Sequence, residues 1–224
     1  MKYLVTGGCG VIGSVLCETL LNRGDEVICL DNLTTGRKEN IDQLLDNDKF
    51  KFMVWDITKS IDIEADRIFA LSSPTDPVIC KNHPTETIQS NIVGTLNLLS
   101  LNIPLLFASS VRVLDNTTDS YREGKRVGEI LCSQQKVCRM GNVYSPRIPE
   151  NDGRAIKTFI RKALSNQTIE VWGNQLDSFM FVTDAVDVMI RFSDSNYIGV
   201  IEAGGSEVIS IVELAKIIIK LTGS

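Results

Sequence analysis

Apolar, β-branched runs alternate with amphipathic segments along the first two thirds of the chain. This alternation is typical of parallel strands joined by crossover helices. It predicts strands over residues 3–6, 27–31, 51–55, 67–71, 105–108 and 137–140. It predicts helices over residues 11–22, 87–101, 121–134, 155–165, 185–192 and 211–221, the last preceded by a capping box from Ser210 to Glu213. The expected fold class is α/β, with a doubly wound parallel sheet and a ligand crevice at the carboxyl ends of its strands.

The composition of the 224-residue chain narrows the class of protein. With 43% hydrophobic and 23% charged residues, it fits one globular domain with a small appended lobe. The net charge of −5 and the pI near 5.0 argue against a nucleic-acid binder or a basic membrane-surface protein, because both need cationic surface. The start MKYLVTGG enters a strand pattern directly and leaves no room for a signal peptide, and no apolar run reaches membrane-spanning length. We therefore expect a cytoplasmic protein with no nucleic-acid or membrane partner.

The six cysteines are scattered through apolar stretches without a C-x-x-C pair. This spacing gives little support to a metal site or a disulfide framework. We expect no bound metal and reduced core residues at Cys9, Cys17, Cys29, Cys80, Cys132 and Cys138.

A glycine-rich turn directly follows the first predicted strand, in the stretch TGGCGVIG at residues 6–13. Its Gly7, Gly10 and Gly13 open the first helix, where glycine allows a tight turn and a close approach to a pyrophosphate. A glycine-rich turn without a ligand is the alternative, but the strand before it and the helix after it match a dinucleotide-binding arrangement. The predicted sheet is therefore of the Rossmann type.

Two acidic residues at strand ends extend this prediction. Asp31 ends the second strand, where it is placed to accept hydrogen bonds from both hydroxyls of a ribose. An acid there repels a 2′-phosphate, so NAD is favoured over NADP. Asp56 and Ile57 follow the third strand and are placed to meet the adenine, although an ordinary aspartate at a strand end fits that position equally well.

Tyr121 and Lys125 are four positions apart in a predicted helix, so both leave the same face. The spacing alone is weak, because a surface helix that carries a lysine also fits it. The functional interpretation is a tyrosine that acts as a base near neutral pH because a neighbouring cation lowers its pKa.

Seven stretches of the chain resemble the extended short-chain dehydrogenase/reductase family of NAD-dependent epimerases and dehydratases. Within that family the chain is similar to the UDP-glucuronate decarboxylases, also called UDP-xylose synthases. The stretches are TGGCGVIGS, DNLTTGRKEN, LSSPTDP, TIQSNIVGTLN, SYREGKRVGE, NVYSPRIPENDGR and FMFVTDAVD. The resemblance implies an NAD-binding Rossmann domain over residues 1–141 and a reduced substrate-binding lobe over residues 142–224, interleaved with the Rossmann core.

The resemblance also implies roles for individual residues. Tyr121 would take the proton of the sugar 4-hydroxyl, Ser110 would hydrogen-bond the sugar 4-oxygen, and Lys125 would hold the nicotinamide ribose and lower the tyrosine pKa. The implied cofactor-binding residues are Gly7, Gly10, Val11, Ile12, Gly13, Asp31, Asn32, Thr35, Gly36, Asp56, Ile57, Leu71, Ser72, Ser73, Asn91, Tyr121 and Lys125. The implied substrate-binding residues are Pro74, Ser110, Arg112, Asn142, Arg154 and Asp177.

For a decarboxylase of this family, oxidation of UDP-glucuronate at C4 makes a β-keto acid. Its C5 carboxylate then leaves as CO₂, because the ketone accepts the electrons, and the returning hydride gives UDP-xylose. NAD is regenerated in each turnover, so the reaction needs neither a metal nor a second substrate. The resemblance therefore implies a carboxy-lyase with tightly bound NAD.

Two positions depart from the family pattern. The family carries a catalytic glutamate where this chain has Arg112, and an arginine near the substrate where this chain has Asp177. Because the two changes of charge are opposite, we hypothesise that the two side chains form an ion pair with exchanged roles; independent change at the two positions is the alternative. The loop between Ser110 and Tyr121 is shorter than in relatives, so altered substrate specificity is expected.

The sequence leaves two other functions open. A UDP-sugar 4-epimerase needs the serine, the tyrosine, the lysine and NAD, but not the lost glutamate. A non-catalytic regulatory relative that binds NAD or a nucleotide sugar would tolerate the reversed charges, but it has no need of Ser110, Tyr121 and Lys125 together.

The predicted helices at 87–101 and 121–134 carry more apolar positions than one sheet can cover. Relatives in the family pair through these two helices, so a homodimer is expected. The alternative is that these positions belong to the core. They are Ile88, Ile92, Leu96, Leu99, Val127, Ile130 and Leu131.

Overall fold

The computed structural model describes residues 1–150 and 152–224, and this part of the chain forms ten strands and seven α-helices. The strands are β1 (Lys2–Thr6), β2 (Glu26–Asp31), β3 (Phe50–Val54), β4 (Arg67–Ala70), β5 (Leu105–Ser110), β6 (Lys136–Met140), β7 (Asn142–Tyr144), β8 (Leu176–Phe181), β9 (Gly199–Ala203) and β10 (Val208–Ser210). The helices are α1 (Val11–Asn22), α2 (Pro77–Asn82), α3 (Pro84–Leu99), α4 (Ser120–Leu131), α5 (Ala155–Leu164), α6 (Val182–Asp194) and α7 (Ile211–Thr222). Short 3₁₀ turns cover Lys38–Asn40, Asp42–Leu44 and Val111–Leu114.

The strands form two sheets. The main sheet has seven parallel strands in the order β3-β2-β1-β4-β5-β6-β9. Its order reverses between β1 and β4, which places a ligand crevice at the carboxyl ends of these strands. A second sheet has the order β10-β8-β7, with β7 parallel and β10 antiparallel to β8. The predicted fold class, a Rossmann-type doubly wound parallel sheet, is confirmed.

Helices cover both faces of the main sheet. On one face, Leu16 of α1 and Met189 of α6 are buried in a cluster that includes Phe69 of β4. On the other face, Leu98 of α3 is buried with Phe107 of β5. A third, smaller cluster joins α5 to α7 beside the second sheet. Burial on both faces explains why the central strands are apolar along their whole length.

The structure confirms the six predicted strands and the six predicted helices, with shifts at their ends. The capping box at the start of α7 is present, with both of its hydrogen bonds. Helix α3 begins at Pro84 and not at residue 87, because proline suits the first turn of a helix. Helix α2 and strands β7 to β10 were not predicted, since they are short or lie at half-exposed positions without a clear apolar alternation.

All six cysteines are buried and unpaired, so the prediction that they are core residues is confirmed. Among the described residues, no group of three or more His, Cys, Asp or Glu side chains is arranged to hold a metal ion. None of the helices in the described ranges combines the length and the apolar character needed to cross a membrane.

Candidate functional site

The glycine-rich turn joins β1 to α1 at the carboxyl edge of the main sheet. Gly7 has a φ of +70°, in the left-handed region that favours glycine. A Cβ on Gly13 would lie 2.2 Å from the Gly7 carbonyl oxygen, so the helix can begin this close to the turn only with glycine there. The N-cap is Gly10, which has no side chain to occupy the first N–H groups of α1. These N–H groups and the helix dipole favour an anion at this point.

Asp31, at the end of β2, is buried beside the glycine turn. Its carboxylate accepts hydrogen bonds from the N–H groups of Cys9 (2.9 Å) and Leu33 (2.8 Å). Burial raises the pKa of this carboxyl, and the two N–H donors act in the opposite direction. A Cβ on Gly36 would lie 2.6 Å from both carboxylate oxygens, so the loop after β2 needs glycine to pass so close to Asp31.

A cleft of about 250 Å³ opens in front of the glycine turn, along the carboxyl ends of β1 to β4. The residues expected to bind the cofactor that line it are Gly7, Gly10, Asp31, Asn32, Thr35, Gly36, Asp56, Ile57, Leu71, Ser72 and Ser73. Pro74, expected at the substrate, also lines it. The expected cofactor residues outside its lining are Val11, Ile12, Gly13, Asn91, Tyr121 and Lys125.

Sequence reasoning missed several residues of this cleft. Trp55 precedes Asp56 at the end of β3, and its position next to a predicted site residue was the signal that could have found it. Glu86, Gln89 and Ser90 reach the cleft from α3. No local pattern marks them, because the packing of α3 against the sheet decides which of its faces meets the cleft.

Asp56 takes part in a local turn. Its Oδ1 accepts hydrogen bonds from the Thr58 N–H (2.9 Å) and the Thr58 hydroxyl (2.8 Å), a side-chain turn typical of aspartate after a strand. Ile57 is buried, and a Cβ on Gly94 of α3 would lie 2.2 Å from its Cδ1. The turn at Asp56 is therefore present in the structure, while its contact with an adenine stays a prediction.

Asn91 connects the cleft with α4. Its Nδ2 donates hydrogen bonds to the Ser73 hydroxyl (2.9 Å) and to the Thr87 carbonyl (2.8 Å). The side chain is buried, and its Oδ1 has no partner among the described residues. A Cβ on Gly124 would lie 3.1 Å from the Asn91 amide nitrogen, so α4 passes directly against Asn91.

The end of β5 and the start of α4 bring together the three side chains expected to be catalytic. The Ser110 hydroxyl lies close enough to the Tyr121 phenol to favour its ionised form. Lys125 is buried, and its Nζ donates a hydrogen bond of 2.7 Å to the Ala108 carbonyl. The Lys125 Nζ lies 6.0 Å from the centre of the Tyr121 ring and 4.8 Å from that of Phe107. The three residues thus form one cluster, although their catalytic roles remain predictions.

Burial dominates the electrostatics of this cluster. It raises the pKa of Tyr121 above its ordinary value, and the nearby Ser110 hydroxyl and the charge of Arg154 oppose that rise. It lowers the pKa of Lys125 from 10.5 to about 7. Ser110 and Arg154 are the groups that lower the pKa of Tyr121 here, and the same effect expected of Lys125 stays a prediction. The net pKa of Tyr121 is raised, because desolvation of the phenolate outweighs the groups that stabilise it.

The ion pair hypothesised between Arg112 and Asp177 is present. The Arg112 Nη2 lies 2.8 Å from the Asp177 Oδ2. Arg112 lies in the 3₁₀ turn directly after β5, and its backbone N–H donates to the Ser110 hydroxyl oxygen at 3.2 Å. Asp177 lies on β8 of the second sheet. The pair therefore joins the two sheets next to Ser110.

Two further residues expected at the substrate, Arg154 and Asn142, contact other residues of the protein in the structure. Arg154 binds the buried Asp152 through Nε (3.0 Å to Oδ1) and Nη2 (2.9 Å to Oδ2). Burial raises the pKa of Asp152, but the hydrogen bonds and the charge of Arg154 outweigh it and lower the pKa below its ordinary value. Asn142 of β7 donates through Nδ2 to the Ser178 carbonyl of β8 at 3.3 Å. The contact of Arg154 or Asn142 with a substrate stays a prediction.

Residues 3–201 match the model of the NAD dependent epimerase/dehydratase family. UDP-glucuronic acid decarboxylase 4 of Arabidopsis thaliana is 33% identical over an alignment of 250 positions, which covers 97% of this chain and 56% of that protein. UDP-glucuronic acid decarboxylase 3 of the same plant is 34% identical over an alignment of 254 positions, which covers 99% of this chain and 74% of that protein. The chain thus spans little more than half the length of the first of these relatives.

The fold is also similar to that of solved structures. The UDP-glucuronic acid 4-epimerase of Bacillus cereus, in complex with UDP-glucuronic acid and NAD, is 25% identical, with a TM-score of 0.87. The superposition covers 100% of this chain and 84% of the epimerase chain.

Proposed function

Because the chain belongs to the NAD dependent epimerase/dehydratase family, we propose that it is an enzyme that uses NAD to modify a nucleotide sugar. NAD, the cofactor expected from the sequence, is the cofactor of this family. The observation that carries the proposal is the cluster of Ser110, Tyr121 and Lys125 at the carboxyl end of the sheet. A protein that merely binds a nucleotide has no need of a hydroxyl, a phenol and an amine in mutual reach.

The residues around the cleft fit NAD. The N–H groups after Gly10 and the close approach at Gly13 suit a pyrophosphate. The carboxylate of Asp31 suits the hydroxyls of a ribose and disfavours a 2′-phosphate. The orphaned Oδ1 of Asn91 is a buried polar group beside Ser73, which lines the cleft, as expected at a site that holds a polar ligand.

The cluster of Ser110, Tyr121 and Lys125 suggests a role for each of its residues in the reaction. NAD, when bound, accepts a hydride from the sugar and returns it within the same turnover. Tyr121 removes the proton of the sugar 4-hydroxyl, and Ser110 hydrogen-bonds the 4-oxygen. Burial raises the pKa of Tyr121, and the Ser110 hydroxyl and the charge of Arg154 are the groups that favour its deprotonated form. Lys125 holds the nicotinamide ribose.

Decarboxylation of UDP-glucuronate to UDP-xylose is the specific reaction that we propose. It is supported by the decarboxylases of Arabidopsis thaliana, which are 33% and 34% identical to this chain. Arg112 adds a cation two residues after Ser110, where an anionic sugar would need one. A ketone at C4 makes the substrate a β-keto acid, which loses CO₂ without a metal.

A UDP-sugar 4-epimerase is the second candidate. It is favoured by the similarity to the epimerase of Bacillus cereus, and by Arg112, which stands where a decarboxylase would have its glutamate. Both reactions begin with the same oxidation at C4, and they differ in whether the carboxylate leaves.

Product analysis separates the candidates. The purified protein is incubated with UDP-glucuronate labelled with ¹⁴C in its carboxylate, trapped CO₂ is counted, and the nucleotides are identified by mass spectrometry. Labelled CO₂ and a UDP-pentose support the decarboxylase, and a labelled hexuronate isomer supports the epimerase. Tyr121→Phe is the control for contaminating activity. Bound NAD without any turnover would contradict both reactions and leave a non-catalytic regulatory protein.

We also propose a homodimer that uses α3 and α4. Ile88 and Leu96 of α3 and Ile130 of α4 are 37%, 48% and 71% exposed, so these apolar side chains are not covered by the core. Light scattering of the wild type and of Ile130→Glu tests this surface. A dimer that Ile130→Glu converts to a folded monomer is the expected result, and a wild-type monomer at every concentration would contradict it.

A further inference from the structure

Glu129 lies one turn after Lys125 on α4, so Tyr121, Lys125 and Glu129 occupy one face of this helix. The Glu129 side chain is 13% exposed. A nearly buried carboxylate needs partners that replace its lost hydration. Neither the sequence motifs nor the proposed reaction gives Glu129 a role.

The partners of Glu129 come from two neighbouring strands. The Ser109 hydroxyl of β5 donates a hydrogen bond of 2.5 Å to its Oε1. Arg139 of β6 binds both of its oxygens, with Nε 3.0 Å from Oε1 and Nη2 2.7 Å from Oε2. Ser109 and Arg139 are partners in the register of β5 and β6. The carboxylate of Glu129 therefore links α4 to two adjacent strands.

The contacts of Glu129 lie next to the cluster of Ser110, Tyr121 and Lys125. Ser109 directly precedes Ser110, so the hydrogen bond to Glu129 fixes the end of the strand that carries Ser110. Two residues earlier, Phe107 packs against Gly128, where a Cβ would lie 2.3 Å from the Phe107 Cζ. The helix and the strand are thus in close contact along this whole face.

We propose that Glu129 is a positioning residue, which holds α4 on the end of β5 and so sets the placement of Ser110 relative to Tyr121 and Lys125. The inference rests on the proposed function of these three residues. Glu129 touches neither the cleft nor the phenol, so it acts through the two elements that it joins.

The charge of Glu129 has a second consequence. Lys125 is faced by Cys132, directly after α4, by Cys80 of α2 and by Glu129 of α4, and all three oppose the effect of burial on the lysine pKa. Arg139 offsets part of the Glu129 charge without removing it. Glu129→Gln is therefore expected to lower the pKa of Lys125 below its value of about 7.

The test compares Glu129→Gln and Ser109→Ala with the control Glu202→Gln. Glu129→Gln keeps the size of the side chain and loses its charge, and Ser109→Ala loses only the hydroxyl. Glu202 also binds Arg139, at 3.3 Å, but it is 55% exposed and does not contact α4 in this network.

We expect kcat to fall roughly tenfold to hundredfold in Glu129→Gln and Ser109→Ala, with KM little changed, since small misplacements of reacting groups have effects of this size. Glu202→Gln should keep wild-type kcat, and Ser109→Thr, which keeps a hydroxyl, should retain most of it.

A second measurement does not depend on turnover. The free energy of unfolding is followed against pH, and the rise that Lys125 contributes should begin at lower pH in Glu129→Gln than in the wild type and in Glu202→Gln. Wild-type kcat in folded Glu129→Gln and Ser109→Ala would overturn the inference, and so would a pH curve of Glu129→Gln that coincides with the wild type. If the wild type itself has no turnover, the proposed function fails, and only the pH curve then tests the effect of Glu129 on Lys125.

Discussion

The guanidinium of Arg112 lies 2.8 Å from the carboxylate of Asp177 and joins the turn after β5 to strand β8. Arg112 is also 3.9 Å from Asp115, which in turn pairs with Arg122 of α4 at 3.2 Å. Strand β8, which carries Asp177, is therefore linked by charges to the helix that carries Tyr121.

Loss of the Arg112 charge is expected to affect turnover more than stability. The Arg112 side chain is 43% exposed, so its coupling with Asp177 should contribute less than about 1 kcal/mol to the free energy of unfolding. If Arg112 binds the anionic sugar, Arg112→Gln should lower kcat/KM for UDP-glucuronate by roughly tenfold or more. Urea unfolding of Arg112→Gln, Asp177→Asn and the double variant gives the coupling, and steady-state kinetics give the effect on turnover.

The matched control is Arg191→Gln. Arg191 forms an ion pair with Asp187 at 2.7 Å within α6, away from the cluster. Its loss should leave kcat/KM unchanged. Equal kinetics for Arg112→Gln and Arg191→Gln would show that the Arg112 charge does not act on the substrate.

Tyr121→Phe is expected to lower kcat by roughly a hundredfold or more, because the variant has no group that can take the proton from the sugar. The binding of NAD should stay within about twofold of the wild type, since the cleft at the glycine turn is not altered. Calorimetric titration with NAD and steady-state kinetics measure the two effects. Tyr144→Phe, on β7, is the control for loss of a hydroxyl elsewhere. Full turnover by Tyr121→Phe would exclude the proposed mechanism.

Gly36→Ala is expected to weaken NAD binding. The new Cβ would lie 2.6 Å from both oxygens of Asp31, so the carboxylate or the loop must move. Loss of one well-placed hydrogen bond to a charged group corresponds to a decrease in affinity of roughly tenfold to a hundredfold. Gly153→Ala is the control, because a Cβ on Gly153 meets no atom of the described residues within 4 Å. Isothermal titration with NAD distinguishes the two variants, and equal affinities would place the ribose away from Asp31.

The parts of the site that the sequence predicts are those encoded by local patterns. The glycine turn, Asp31 and the spacing of Tyr121 and Lys125 each belong to one short segment whose secondary structure is clear. The pairing of Arg112 with Asp177 could also be predicted, although the residues are 65 positions apart, because both departed from one family pattern in opposite directions.

The remaining features depend on how the elements pack. Glu86 and Gln89 line the cleft only because α3 turns that face toward it. The pKa of Tyr121 is raised because the folded chain buries the phenol, and no spacing in the sequence reports the degree of burial. Spacing thus predicts which groups meet, and packing determines their electrostatics.

Lys125 is expected to make the stability of the protein depend on pH. Its pKa is about 7 in the folded protein, against an ordinary value of 10.5, so the unfolded chain binds more protons between these two pH values. The free energy of unfolding therefore gains a contribution that rises with pH from about 7 to about 10.5, and below about pH 7 the full cost of the buried ammonium is present. Lys125→Met removes the titrating amine while keeping an apolar side chain of similar length.

The variant should be more stable than the wild type at pH 6, and this difference should shrink as the pH rises toward 10. Urea unfolding at intervals across this range measures it, and the comparison of two chains cancels the titration of the buried thiols that both share. Lys51→Met, at an exposed position of β3, is the control and should follow the wild-type curve. A constant difference between Lys125→Met and the wild type would mean that the lysine keeps its ordinary pKa, and the cluster would then lack the electrostatics described for it.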